Sequence, residues 1–347
     1  MTDSILLTRP DDWHLHLRDG AALAYTVPAS AATFARAIVM PNLRPPVTTV
    51  ALAAQYRDRI LAAIPQGVQF EPLMTLYLTD VTPIEEVERV ANPNFVHAFK
   101  LYPAGATTNS DAGVTRLDPL YPLFEAMQTH DVPLLVHGEV TRPEVDIFDR
   151  EARFIEESLA PLTQSFPALR VVFEHITTQA AVDFVLASDD HVAATITPQH
   201  LMHQRNDMLA GGIKPHLYCL PILKTREDLA ALRKAATSGN KKFFLGTDSA
   251  PHARASKESA CGCAGCYSAP YALSLYAEVF EAMDALHHLE GFAALHGPAF
   301  YRLPVNTDKL RITKCAARIP ESLPYSESDG IIPLAAGKTL GWRVAHA

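Results

Sequence analysis

One repeating alternation constrains this chain more than any other feature. Between Trp13 and Asp248, eight short apolar, β-rich runs are separated by stretches long enough to hold a helix. The runs fall at 13–19, 35–40, 70–77, 95–100, 133–137, 169–175, 191–196 and 242–248. Between them lie helical patterns at 50–64, stopped by Pro65-Gln66-Gly67, at 117–129, at 147–165 and at 228–236. Another begins at Pro83 with Glu85 and Glu86 in its first turn, and another runs to Leu186 from a cap at Thr177 or Thr178. Pro72 weakens the third run as a strand. Strands that alternate with helices form parallel sheets, and a count of eight points to closure as an α/β (β/α)8 TIM barrel. The alternative is an open doubly wound sheet, which the absence of a Gly-rich phosphate loop after the first run disfavours. Beyond Gly291, the spaced prolines 298, 304, 320, 324 and 333 read as an extension packed on the barrel. The expected organisation is one domain over 1–347, with barrel strands at about 13–248 and C-terminal helices and tail at 269–347.

Composition narrows the function classes. A net charge of -8 without any block of Lys or Arg argues against nucleic acid as a partner, because phosphate binding needs a basic surface. No apolar run is long enough for a membrane span, and Met1-Thr2-Asp3-Ser4 does not open a signal peptide, so the cytoplasm is expected. Five cysteines in so long a chain do not make a disulfide framework.

The polar residues then fall where the fold would use them. On an extended strand with period two, His14, His16 and Arg18 share one face and Leu15 and Leu17 the other. Two imidazoles on one face suit zinc and similar cations, and Arg18 suits an anion. The second run ends in Asn42, the fourth in Lys100, the fifth in His137, the sixth in His175 and the eighth in Asp248. In a barrel these ends converge on one mouth. His137 or His175 taken singly reads equally as a satisfied strand-end histidine. Lys100 is the odd member, because an ammonium repels divalent ions. It fits if carbon dioxide adds to the amine to give an anionic carbamate; otherwise it pairs with an acid at the mouth. Sequence chemistry alone does not choose.

The set His14-x-His16, Lys100, His137, His175 and Asp248 resembles the ligand set of the amidohydrolase superfamily. Longer motifs narrow the resemblance: Trp13-His14-Leu15-His16-Leu17-Arg18-Asp19-Gly20, Met40-Pro41-Asn42-Leu43, Phe99-Lys100 with 101–110 behind it, Val136-His137-Gly138-Glu139, Phe173-Glu174-His175-Ile176-Thr177-Thr178, Gly246-Thr247-Asp248-Ser249-Ala250-Pro251-His252 and Cys261-Gly262-Cys263-Ala264-Gly265-Cys266. Together they are similar to dihydroorotases of the shorter, bacterial, single-function type over nearly the whole chain. The resemblance implies two Zn2+ per subunit, one held by His14, His16 and Asp248 and the other by His137 and His175, bridged by carboxylated Lys100 and a hydroxide. It implies reversible hydrolysis of (S)-dihydroorotate to N-carbamoyl-L-aspartate, a step of pyrimidine biosynthesis. The hydroxide is the nucleophile and Asp248 the general base and acid. Arg18, Asn42 and His252 bind the substrate carboxylate, His137 and backbone groups at Leu220 and Ala264 also contact the substrate, and Thr107 and Thr108 belong to a mobile lid. A homodimer is the family expectation.

Other readings compete. Hydantoinases and allantoinases share the metal ligands but do not need the Arg18/Asn42/His252 clamp together with the Thr107-Thr108 lid. A catalytically dead scaffold barrel typically loses ligands, and here every one is present. Cys261-x-Cys263-x-x-Cys266 lacks a fourth ligand at suitable spacing for a structural zinc, and by resemblance it lines the substrate site instead.

Overall fold

The computed structural model describes residues 3–92, 95–326 and 329–345; Met1 and Thr2 lie outside them. An N-terminal strand, β1 (Ser4–Thr8), precedes eight strands: β2 (Asp12–Leu15), β3 (Arg36–Val39), β4 (Glu71–Tyr77), β5 (Val96–Leu101), β6 (Leu134–Val136), β7 (Val171–Phe173), β8 (Val192–Ile196) and β9 (Phe243–Leu245). These eight form one sheet in sequence order, every neighbouring pair parallel. The first and last meet through Asp248 N–H donating to the His14 carbonyl at 2.9 Å and His16 N–H donating to the Ser249 carbonyl at 3.2 Å. This is the expected TIM barrel.

Period-two alternation sorts the strand residues into two layers. Each barrel strand sends one residue into an interior cluster: Trp13, Ile38, Leu73, Ala98, Leu135, Val172, Ala193 and Phe244. Their neighbours, such as Val39, Phe99, Val136, Val171 and Leu245, belong to the outer core packed against the helices. β2 breaks the rule: Trp13 faces inward, yet Leu15 and Leu17 belong to the outer core. The register between β2 and β3 shifts between Asp12 and Leu15, and such an irregularity re-aims the side chains beside it. Trp13 can therefore plug the interior while its neighbour His14 serves the mouth.

The helices follow their local chemistry. Thr49 caps Val50–Ala62, and Thr178 caps Gln179–Ala187 by accepting from Ala181 N–H at 3.1 Å. A Thr225/Asp228 capping box starts Arg226–Ala236. The expected helix at 147–165 begins at Arg150 and contains a π turn over Ile155–Leu159. Pro72 is accommodated as the second residue of β4, near its start.

The extension beyond the barrel carries two further pieces. Helix His296–Tyr301 presses on the barrel floor, where Tyr301 stacks on Trp13 with ring centroids 4.4 Å apart. Strands β10 (Lys309–Arg318) and β13 (Thr339–Ala345) form an antiparallel sheet with β1, and β11 (Leu323–Pro324) pairs with β12 (Gly330–Ile331). The extension is thus built from both ends of the chain, which sequence order alone did not show. Among the described residues, no helix is long and apolar enough to cross a membrane.

Two consequences are testable. Gly297 packs so tightly that a Cβ there would stand 1.9 Å from Trp13 Nε1. Alanine normally stabilises a helix by about 1 kcal/mol relative to glycine. Here overpacking reverses the sign, and Gly297→Ala should cost about 1–3 kcal/mol, lowering Tm by several degrees in a circular-dichroism melt. An unchanged or raised Tm would mean that this helix does not press on the floor. The second concerns pH. Burial lowers the pKa of His97, His200 and His203 to about 4, so they stay neutral in the folded chain while the unfolded chain protonates them near 6.5. The unfolded state then binds more protons between pH 6.5 and 4, and stability falls as pH falls through that window. Asp12, raised to about 7, and Glu151, also raised, both chiefly by burial, work the other way, but the histidines lowered by burial outnumber them. Denaturant midpoints at pH 7 and 5 should differ in favour of pH 7, by on the order of 1 kcal/mol per histidine per pH unit.

Candidate active site

The barrel mouth gathers a buried cluster of donors. His14, His16, Lys100, His137, His175 and Asp248 are all buried there. His14 Nε2 lies 3.3 Å from His16 Nε2 and 3.4 Å from Asp248 Oδ1, and His16 Nε2 lies 3.1 Å from the same oxygen. Around a tetrahedral ion with bonds of ~2.0–2.1 Å, neighbouring ligand atoms stand about 3.3–3.4 Å apart. The three atoms therefore already have the spacing of ligands on one such ion. His14 Nδ1 sits 2.6 Å from Glu174 Oε2, which sets a carboxylate beside the ring on the side away from His16 and Asp248. The donors of His14, Glu174 and His175 form a second possible metal-holding group, and His175 Nδ1 is buried without a hydrogen-bond partner. The rings of His137 and His175 lie 4.8 Å apart, while His137 Nε2 pairs with Glu139 at 2.7 Å.

Electrostatics favour the neutral form of His16 and His175 and the charged form of Asp248 and Glu174. Burial lowers His16 to about 4 and pushes His175 well below its ordinary range. Burial works to raise Asp248, but the hydrogen bond with His16 and the nearby His14, His16 and His200 outweigh it and hold the carboxyl down at about 2. Lys100, with no exposed surface, pairs with the Glu174 carboxylate, the acid-paired arrangement of the two that its sequence context allowed. Burial still lowers its pKa, against the pull of Glu174. Neutral imidazole and ionised carboxylate are the forms that bind first-row cations.

Left-handed backbone delivers several of these groups. Arg18, His175 and Asp248 have φ of 61°, 43° and 44°. On β7, Val172 points inward, so alternation sends Glu174 inward too; the positive φ at His175 then brings the next side chain into the same site. Strain of this kind at non-glycine residues costs of order 1–3 kcal/mol and persists only where the surroundings enforce it. Gly246 makes room beneath, since a Cβ there would stand 2.7 Å from Thr195 Cβ and 3.2 Å from His14 Cβ.

Outside the cluster lies a cavity of about 680 Å³ lined by Arg18, Thr107, Thr108, Leu220, His252 and Ala264 among others. Arg18 donates through Nε to the Pro251 carbonyl at 3.0 Å and lies 2.9 Å from His252 Nε2 through Nη2. His252 is lowered to about 2, first by burial and then by Arg18, so it stays neutral beside the guanidinium. Its Nε2 is also 3.0 Å from the Ala264 carbonyl; it accepts from Arg18 or donates to Ala264, not both. The segment at Thr107 and Thr108 lies against this wall: Thr108 Oγ1 donates to the Ala264 carbonyl at 3.4 Å, and Asn42 donates its amide to the Thr108 carbonyl at 2.9 Å. Asn42 thus ties down the Thr108 segment, while Arg18 and His252 face the cavity together.

The sequence reading assigned no role to Glu139 or Glu174, although both stand in quoted motifs. Parity carried the signal, because Glu139 is two residues past His137 and Glu174 two past the inward Val172. Tyr325, brought to the cavity wall by the extension, left no such trace. Cys261 and Cys263 line the same cavity, and all five cysteines are free.

Comparison with known proteins agrees with this geometry. The sequence pattern of the amidohydrolase family matches residues 11–307. A dihydroorotase of Picosynechococcus sp. is 64% identical over 343 residues, covering 99% of each chain. The fold superposes on a dihydroorotase of Saccharomyces cerevisiae, solved with 5-fluoroorotic acid, with a TM-score of 0.91, 33% identity and 99% coverage of each chain. A dihydroorotase of Campylobacter jejuni gives a TM-score of 0.91 at 34% identity, covering 100% of this chain and 99% of its own. The chain belongs to the amidohydrolase family, among its dihydroorotases, and is a hydrolase of cyclic amides.

Proposed function

We propose that the chain catalyses the reversible opening of (S)-dihydroorotate to N-carbamoyl-L-aspartate, the third step of de novo pyrimidine synthesis, in the cytoplasm and as a homodimer. One observation carries this reading: a metal-type donor cluster and an anion clamp leave the same two strands. Arg18 follows His16 on one, and His252 follows Asp248 on the other.

In this reading His14, His16 and Asp248 would hold one zinc ion and His137 and His175 a second, and Lys100, once carboxylated, would add an anionic donor to the set. Cobalt and manganese suit the same donors. The ions supply acidity that makes water a nucleophile near neutral pH, and charge that polarises the ring carbonyl. The lowered pKa of buried Lys100 favours the neutral amine, which is the form that adds carbon dioxide: the nitrogen lone pair bonds to carbon and the nitrogen loses a proton. Glu174, on His14 Nδ1, orients that ring.

The remaining work belongs to side chains. Asp248, held ionised, takes a proton from the attacking water and returns it to the ring nitrogen as the carbon–nitrogen bond breaks. Arg18, Asn42 and His252 hold the substrate carboxylate by charge-assisted and amide hydrogen bonds. His137 and the backbone at Leu220 and Ala264 fix the ring. Thr107 and Thr108 close the lid and exclude bulk water.

The deciding experiment follows loss of (S)-dihydroorotate by its ultraviolet absorbance. Purified protein should turn the substrate over, lose activity on chelation and regain it with added zinc. Metal-replete protein that leaves dihydroorotate untouched but opens hydantoin or allantoin would move the assignment to a sister amidase. The clamp has its own test. Arg18→Gln removes a charged donor worth about 1.5–3 kcal/mol, so KM should rise roughly 10- to 100-fold with bound metal unchanged. An unaltered KM would remove Arg18 from the substrate site.

A further inference from the structure

Lys257 is a buried cation that the chemistry above leaves unused. It closes the short helix Arg254–Lys257, just past His252, and only 3% of its surface is exposed. Its ammonium makes no ion pair among the described residues. Instead it donates to three backbone carbonyls, those of Tyr218 at 2.7 Å, Cys263 at 2.7 Å and Gly265 at 2.8 Å. An ammonium has three donors and no acceptor, so its capacity is filled by these three contacts.

The three carbonyls are not scattered. Cys263 and Gly265 flank Ala264, whose own carbonyl is approached by His252 and Thr108. Tyr218 lies on the other loop of the cavity wall, two residues before Leu220, and its carbonyl also accepts from Gly265 N–H at 3.0 Å. Gly265 has a φ of 149°, and a Cβ there would stand 2.7 Å from Ala250 Cβ. The Ala264 segment is therefore pressed against β9's exit on one side and pinned by Lys257 on the other.

We propose that Lys257 is a positioning residue for the substrate: it clamps the two peptides around Ala264 to the Tyr218–Leu220 loop, so that the backbone at Ala264 and Leu220 is held ready to receive the ring. Its charge is set off by carbonyl dipoles rather than by a carboxylate, so it also leaves the wall beside Arg18 positive, which favours an anionic substrate. This inference rests on the proposed function for the identity of the substrate, but not for the brace itself.

Lys257→Met keeps most of the stem and removes the donors and the charge. Two readouts separate the claims. Hydrogen exchange at the Gly265 amide, bonded to Tyr218, reports the brace without any substrate and should quicken about tenfold or more. Steady-state kinetics report positioning: KM for dihydroorotate should rise about tenfold or more, the scale of a lost charge-assisted hydrogen bond, with kcat within about threefold and bound metal unchanged. Lys257→Gln, which retains an N–H donor group, should fall between wild type and Lys257→Met in both readouts, and it carries the test if the methionine variant does not fold. Unchanged exchange at Gly265 overturns the brace. Faster exchange with KM within twofold of wild type overturns the positioning role, as does a fall in kcat accompanied by metal loss. A wild-type protein inactive on dihydroorotate defeats the proposed function instead, and exchange alone then decides the brace.

Discussion

The site exists because the first barrel strand closes on the last. Asp248 N–H meets the His14 carbonyl, and Asp12 accepts from Thr247 N–H at 2.8 Å and from Thr247 Oγ1 at 2.6 Å. These contacts span 235 residues of sequence, and they set His14 and His16 opposite Asp248 at ligand spacing. The seam is costly to build. It buries the Asp12 carboxyl, which raises its pKa to about 7 despite the donors around it. It also holds Asp248 in left-handed backbone. Such costs are borne by packing on both sides of the sheet, the Trp13–Tyr301 floor inside and the helix layer outside.

The barrel was legible because its signal is periodic. Eight runs with alternating inward and outward residues appear at their expected places, and the strand-end rule collected His14, His16, Lys100, His137, His175 and Asp248 at one mouth. What stayed hidden depends on local departures from period. Trp13 fills the barrel interior while the adjacent His14 serves the mouth, because β2 is irregular. Strict alternation would choose Glu174 over His175; the structure uses both through a single positive φ. Arg18 lies beyond the end of β2, so its place in the cavity comes from its own turn and not from the strand face. Lys257 was invisible for another reason: its partners are backbone carbonyls, which every sequence has.

The mouth divides into two electrostatic regions. Deep in the barrel, burial strips protons from imidazoles and the neighbouring groups keep Asp248 and Glu174 charged. Further out, Arg18 and Lys257 are cations with no carboxylate partner among the described residues, beside a histidine kept neutral by burial and by Arg18 itself. The first region suits a divalent ion and the second an organic anion, with Thr107 and Thr108 lining the second.

The placement of β1 bears on how the chain is made. Thr8 is bonded to Lys309, 301 residues later, and among the described strands β1 pairs only with β10. On a ribosome, β1 emerges long before its partner, which appears only after all of the barrel strands have been synthesised. The barrel is in a similar position, since β2 waits for β9. A growing chain therefore carries an open parallel sheet with two unpaired edges and an unpartnered N-terminal strand for most of its synthesis. Long-range closures of this kind fold slowly and leave strand edges open to wrong partners. The chain is most vulnerable to aggregation before β10 is available, and the strand that seals the extension is the one that has waited longest.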